Sequence, residues 1–298
     1  MPHGDRSRGL MKVQAEQDRL DLQHQMFKVM LDGFLSLAPM SAVPNYVLDV
    51  ATGTGIWAMD WAEEYPSSFI IGTDLSAIQP RRDFRNLFFQ KDDAESPWLF
   101  PTPHPADSPP CTGTCQHNIQ FDYVHFRMVC TCFDDTRGVI KQAYDNTRPG
   151  GWIEFQDFFC DTSHENNKDS PMARWYDAVA SGAAIKGRDL KQPMKYQQWL
   201  EEAGFVEVKT RELILPCSPW ARDPKLKEAG AWQQQNFLDG IQGVSWRMMA
   251  AAGYTGPEIE ASIEEVTDYL KSRGNRPFFW LYVVYGRKPY PNEVQPAP

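Results

Sequence analysis

The chain contains no apolar run of the roughly 18 residues that a membrane span requires. It has no basic block. Lys and Arg number 30 against 39 Asp and Glu, a net charge of −9. Neither nucleic acid nor an anionic membrane surface is the expected partner of such a chain. The opening "MPHGDRSRGLMKVQAEQDRL" lacks the apolar segment of a secretory signal. The expectation is a soluble cytoplasmic protein, with the nucleus also allowed. No H-E-x-x-H motif and no nucleophile-elbow serine occurs, so a hydrolase reading has no support. Cysteine is sparse, with six in 298 residues. Cys111 and Cys115 with Cys130, Cys132 and His117 can be drawn as a zinc set. Their C-x3-C and C-x-C spacings are not the paired C-x2-C of zinc knuckles. Reduced thiols and no metal are expected.

What is present is alternation. "YVLDV", "SFIIGT", "NLFFQK", "FDYVHF", "WIEFQDF", "VEVKTRELIL" and "FFWLYVVYG" read as seven strands. "IWAMDWAEEY", "RGVIKQAYDNT" and "YQQWLEEAG" read as helices between them, the second closed by a Pro149-Gly150-Gly151 turn. Strands separated by helices predict an α/β fold with a doubly wound sheet. Gln17–Leu37 reads as an amphipathic helix with Leu20, Met26, Phe27, Met30, Leu31 and Phe34 on its apolar face. Residues 158–192 and 216–276 hold further helices, among them "PEIEASIEEVTDYLKSRG", and are expected to form a lid over the ligand edge of one domain. Residues 1–15 and 288–298 are expected to be flexible tails. The Pro-rich stretch 96–120 is expected to be irregular.

"YVLDVATGTGIWAMD" carries the chemistry. Gly53-Thr54-Gly55-Ile56-Trp57-Ala58 fits the relaxed dinucleotide pattern G-x-G-x-x-A, and Asp74 stands 19 residues after Gly55, where a carboxylate takes ribose hydroxyls. NAD is open on those features. Asp49, four residues before Gly53, favours another ligand. An acid there would repel a pyrophosphate. S-adenosylmethionine has none, and its ammonium and sulfonium suit an acid, while backbone N–H groups of the turn suit its carboxylate. "KDDAESPW" after the third strand places Asp93 to accept from an adenine amino group and Ala94 to meet the ring through its backbone.

With these residues in that order, the chain resembles the class I S-adenosylmethionine-dependent methyltransferases, and within them the fungal LaeA-like (UMTA) group. The carrying segments are "EQDRLDLQHQMF", "VLDVATGTGIWAMDWAEEYP", "IIGTDLSAIQP", "KDDAESPW", "FDYVHFRMV", "QAYDNTRPGGWIEFQD", "WLEEAGFVEV", "LPCSPWARDPKLKEAGAWQQQNFLDGIQG" and "FFWLYVVYGRKP", spanning about Glu16 to Pro289. The resemblance implies a Rossmann-like, seven-stranded, mostly parallel sheet with the last strand antiparallel. It implies cofactor contacts at Asp49, Gly53, Gly55, Asp74 and Asp93. One departure is Ala51, which stands where the group's pattern has its first glycine; its methyl is tolerable where φ is negative.

Methyl transfer is an in-line displacement at a sulfonium and needs a well-placed nucleophile more than a strong base. His125 and Arg127 close the fourth strand, where ligands of such sheets gather. His125 is a candidate to take a proton from a substrate hydroxyl, or to order the strand end behind the cofactor. Arg127 is a candidate to bind a substrate carboxylate, or to pair with Glu16, Asp18 or Asp21. Trp232, Gln233 and Asn236 lie on the lid helix as candidates to touch substrate, with the core the expected place of Trp232. The expected function is O-methylation of a small molecule in fungal secondary metabolism. The alternatives are a LaeA-like regulator with a protein partner, or a cyclase that binds the cofactor without transferring methyl.

Overall fold

The computed structural model describes residues 4–80, 84–101, 118–160 and 168–293. The strands are β1 (Tyr46–Val50), β2 (Phe69–Asp74), β3 (Leu87–Lys91), β4 (Phe121–Arg127), β5 (Thr147–Phe159), β6 (Val206–Pro216) and β7 (Phe278–Arg287). The helices are α1 (Gly4–Met30), α2 (Ile56–Glu64), α3 (Thr136–Asn146), α4 (Pro171–Ile185), α5 (Tyr196–Ala203), α6 (Pro224–Met249) and α7 (Gly256–Lys271). The sheet order is β3-β2-β1-β4-β5-β7-β6. β1 pairs in parallel with both β2 and β4, and β2 with β3. The direction of winding reverses between β1 and β4. In open α/β sheets, ligands bind outside the carboxyl ends of the strands at that point.

By its internal contacts the chain divides into two units, one of residues 38–155, 195–210 and 284–298, the other of residues 1–37, 156–194 and 211–283. The first is built on the apolar strands. Val47, Leu48 and Val50 of β1 are fully buried, as are Tyr123, Val124 and Phe126 of β4. Side chains of this size each gain about 1.5–3 kcal/mol by leaving water. On one face Trp57 and Trp61 of α2 pack over Tyr123. On the other, Phe126 stacks on Phe155, which meets Tyr196 of α5.

The second unit is mainly helical. Trp175 of α4 packs edge-on against Phe237 of α6, and its indole N–H donates to Ser245 Oγ at 2.7 Å. α4 and α6 approach so closely at Gly182 that a Cβ there would lie 1.7 Å from the Met248 carbonyl oxygen. Ile259, Ile263, Val266 and Leu270 of α7 are buried, as their spacing predicts. Among the described residues no helix is long and apolar enough to cross a membrane.

Several boundaries differ from those the sequence predicts. α1 begins at Gly4, inside the segment expected as a tail, and ends at Met30. Asp32 and Gly33 then turn left-handed, and the Gly33 N–H donates back to the Lys28 carbonyl at 2.8 Å, closing the helix. Phe34 therefore leaves the apolar face and is 62% exposed. Pro149-Gly150-Gly151 is not a free turn but the start of β5, where Gly150 N–H donates to the Lys288 carbonyl. Residues 288–293 are tied down too: Arg287 binds Glu293 at 2.9 and 3.0 Å, and Lys288 Nζ donates to the Tyr144 carbonyl at 2.6 Å. Trp232 is 37% exposed rather than core, while Gln233 and Asn236 are buried. The helix turns them inward because only one face of α6 meets its neighbours. Cys111, Cys115 and His117 lie outside the described residues.

Candidate functional site

The turn after β1 is shaped by backbone conformations that side chains resist. Gly53 and Gly55 sit at φ +59° and +80°. A Cβ on Gly55 would lie 2.4 Å from the edge of the Phe89 ring. This glycine thus serves both left-handed geometry and close packing of α2 on the sheet. Ala51 is also left-handed, at φ +57°. The condition under which its methyl is harmless is not met, and such a residue carries about 1–2 kcal/mol of strain.

Asp74 closes β2 and faces this turn. Its Oδ2 accepts from Gly53 N–H at 2.9 Å and its Oδ1 from Ser76 N–H at 2.8 Å. Gln79 adds a second brace: its Nε2 donates to the Gly53 carbonyl at 2.7 Å and to the Ser76 carbonyl at 3.0 Å. The segment "LSAIQP" after Asp74 carried this signal, but no periodicity points to it.

Asp49 lies behind the turn. It is only 3% exposed. Thr52 Oγ1 donates to its Oδ2 at 2.5 Å, and His125 Nδ1 stands 2.7 Å from its Oδ1. The parallel register makes the pairing, since Asp49 and His125 are partners across β1 and β4. The His125 ring is fully buried and stacks on Trp57, with centroids 3.7 Å apart and planes 8° from parallel. Arg127 lies two residues on. Burial pulls its guanidinium down to about 10, against the opposing pull of Asp49, Tyr123, Glu154 and Asp60. Asp49, His125 and Arg127 thus form one electrostatic group at the switch point. Thr52 and Trp57 are its unforeseen members.

Asp93 and Ala94 stand in a separate turn after β3, joined to β2 by Asp92 N–H donating to the Asp74 carbonyl at 2.9 Å. Asp93 Oδ1 accepts from Glu95 N–H at 3.0 Å. The Ala94 carbonyl is held by Trp98 Nε1 at 2.9 Å and Gln142 Nε2 at 3.0 Å.

The donor set fits a ligand without phosphates. Carboxylates end β1 and β2 and follow β3, and the acid nearest the glycine turn is buried, where its charge is felt most strongly. Gly55 leaves no room for a side chain between the turn and Phe89.

Comparison with known proteins agrees. Residues 22–210 match the family model described as a methyltransferase domain. The probable methyltransferase tdiE of Emericella nidulans is 30% identical, over 92% of this chain and 82% of its own. The secondary metabolism regulator LAE1 of Cochliobolus heterostrophus is 31% identical, over 96% of this chain and 92% of its own. Among solved structures, an Anabaena variabilis protein assigned as a methyltransferase of an antibiotic biosynthesis pathway aligns with a TM-score of 0.52. It shares 14% identity, over 82% of this chain and 91% of that one, a likeness of fold.

Proposed function

The chain belongs to the methyltransferase family and is an S-adenosylmethionine-dependent enzyme, and from that premise we propose that it methylates an oxygen of a small molecule in fungal secondary metabolism. The observation that carries this reading is the likeness to tdiE along nearly the whole chain.

In this reading Asp74 takes the ribose hydroxyls, Asp93 and Ala94 take the adenine, and Gly53 and Gly55 keep the turn free of side chains where the cofactor lies. Asp49 is the counter-charge for its cationic end. S-adenosylmethionine supplies an electrophilic methyl on a sulfonium. The residues of this chain bind and orient; the acceptor needs alignment more than a base. His125, buried against Asp49 and Trp57, orders the acid rather than taking the substrate's proton. Arg127 is assigned to a carboxylate or phenolate of the substrate.

The test is incubation with methyl-labelled S-adenosylmethionine and extracts of the source fungus. A labelled small molecule supports the reading. A rearranged but unlabelled product favours a cyclase. The likeness to LAE1 supports a second reading, a regulator acting through a protein partner. Label appearing only in protein decides for that.

A further inference from the structure

His125 has no clear part in methyl transfer, yet it is fully buried and held on two sides. Its Nδ1 meets Asp49 Oδ1 at 2.7 Å, and its face lies on Trp57. Thr52 takes the other Asp49 oxygen. A carboxylate has about four acceptor sites, so these two partners orient it without exhausting it. They differ in kind. Thr52 always donates a neutral hydrogen bond, whereas an imidazole donates as a neutral group or as a cation.

We infer that His125 is a positioning residue that sets the charge Asp49 presents to the cationic end of the cofactor. The inference rests on the assignment of Asp49 made above. With a neutral imidazole, Asp49 is held in place and its negative charge remains for the ligand. With an imidazolium, the same carboxylate is already paired, and a second cation gains less from it. The proton and the cofactor therefore compete for one buried acid. Linkage then requires that cofactor binding releases a proton when His125 starts protonated.

Other titratable and charged groups stand near this pair. Tyr123 lies on the same strand, its ring 6.2 Å from His125. Arg127 is influenced by Asp49, by Asp60 of α2 and by Glu154 of β5. α2 meets His125 with Trp57, which carries no charge. A tryptophan stacked face to face also tolerates the imidazolium, through attraction of the cation to the ring.

The experiment is calorimetric titration of the whole chain with S-adenosylmethionine from about pH 5 to about pH 6.5, about a unit below the range where the cofactor's own ammonium titrates. Affinity is expected to tighten several-fold as pH rises and the competing proton leaves. His125→Asn keeps an N–H donor but cannot titrate, and its profile is expected to be flat. The same slope in His125→Asn, or a flat wild-type profile, overturns the inference. Should that variant not fold, the wild-type protein still decides. Titration at about pH 5.5 in two buffers of different ionisation enthalpy should show net proton release on cofactor binding, and none released overturns the inference. Asp49→Asn separates the levels. Loss of affinity at every pH supports the assignment of Asp49, even where His125→Asn keeps its slope and this inference fails. Unchanged affinity in Asp49→Asn refutes that assignment itself.

Discussion

β1 and β2 are neighbours in the sheet, and each carries an aspartate at or next to its carboxyl end, beside the same glycine turn, but the two acids are held in opposite ways. Asp74 is half-exposed and is gripped by backbone, by the N–H groups of Gly53 and Ser76. Asp49 is buried and is gripped by side chains, by Thr52 and His125. The backbone donors that hold Asp74 keep the same charge at every pH. The partner of Asp49 can change charge. A single pattern of acids after strands thus divides into a fixed hydrogen-bonding site and a tunable electrostatic one.

The sharpest way to break this division is to disturb the turn that both acids share. Gly55→Ala forces a left-handed alanine against Phe89. It should cost about 3 kcal/mol of stability, from overpacking and backbone strain together. Denaturant unfolding checks this. The double variant with Phe89→Ala should lose the packing share of that penalty and keep the backbone share. Next in size, Asp74→Ala should weaken S-adenosylmethionine by about 1–3 kcal/mol, the scale of hydrogen bonds to a charged group. Calorimetry should find this loss equal at about pH 5.5 and about pH 7.5. A loss that varied with pH would erase the contrast between the two acids.

A smaller effect tests whether the helical unit can be perturbed without touching either acid. Asp223 caps α6, accepting from the Leu226 N–H at 3.0 Å. Asp223→Ala should cost about 1 kcal/mol in unfolding experiments, with no change in cofactor affinity at saturating fold. The smallest is Ala51→Gly. Relief of the left-handed strain is partly offset by the greater entropy of glycine in the unfolded chain, so a gain of about 0.5–1 kcal/mol is expected. A loss of stability would mean that the Ala51 methyl makes packing contacts worth more than the strain.

Much of this arrangement is legible in the sequence. All seven strands fall on segments whose pattern reads as strand, α2, α3 and α5 start and stop within about one residue of where their caps and periodicity put them, and α7 stops at Lys271, short of the Gly274 end read from the sequence. The acids after β1, β2 and β3 are visible as spacings. The companions of Asp49 are not. His125 lies 76 residues away, and only the order and register of β1 beside β4 make it a partner. The exposure of Trp232 escaped for a related reason. Hydrophobicity does not say which way a side chain turns when α6 meets other helices along one face only.

The sequence by itself therefore determined the alternation of elements, the family and the places of three carboxylates in and after the first three strands, because these depend on local pattern and short spacing. Tertiary structure decided what each carboxylate does. It put Ala51 into a left-handed turn, placed Gly55 against Phe89, and brought Asp49 into contact with His125 under Trp57. Those outcomes depend on strand order, register and close packing, which arise only when distant segments of the chain meet.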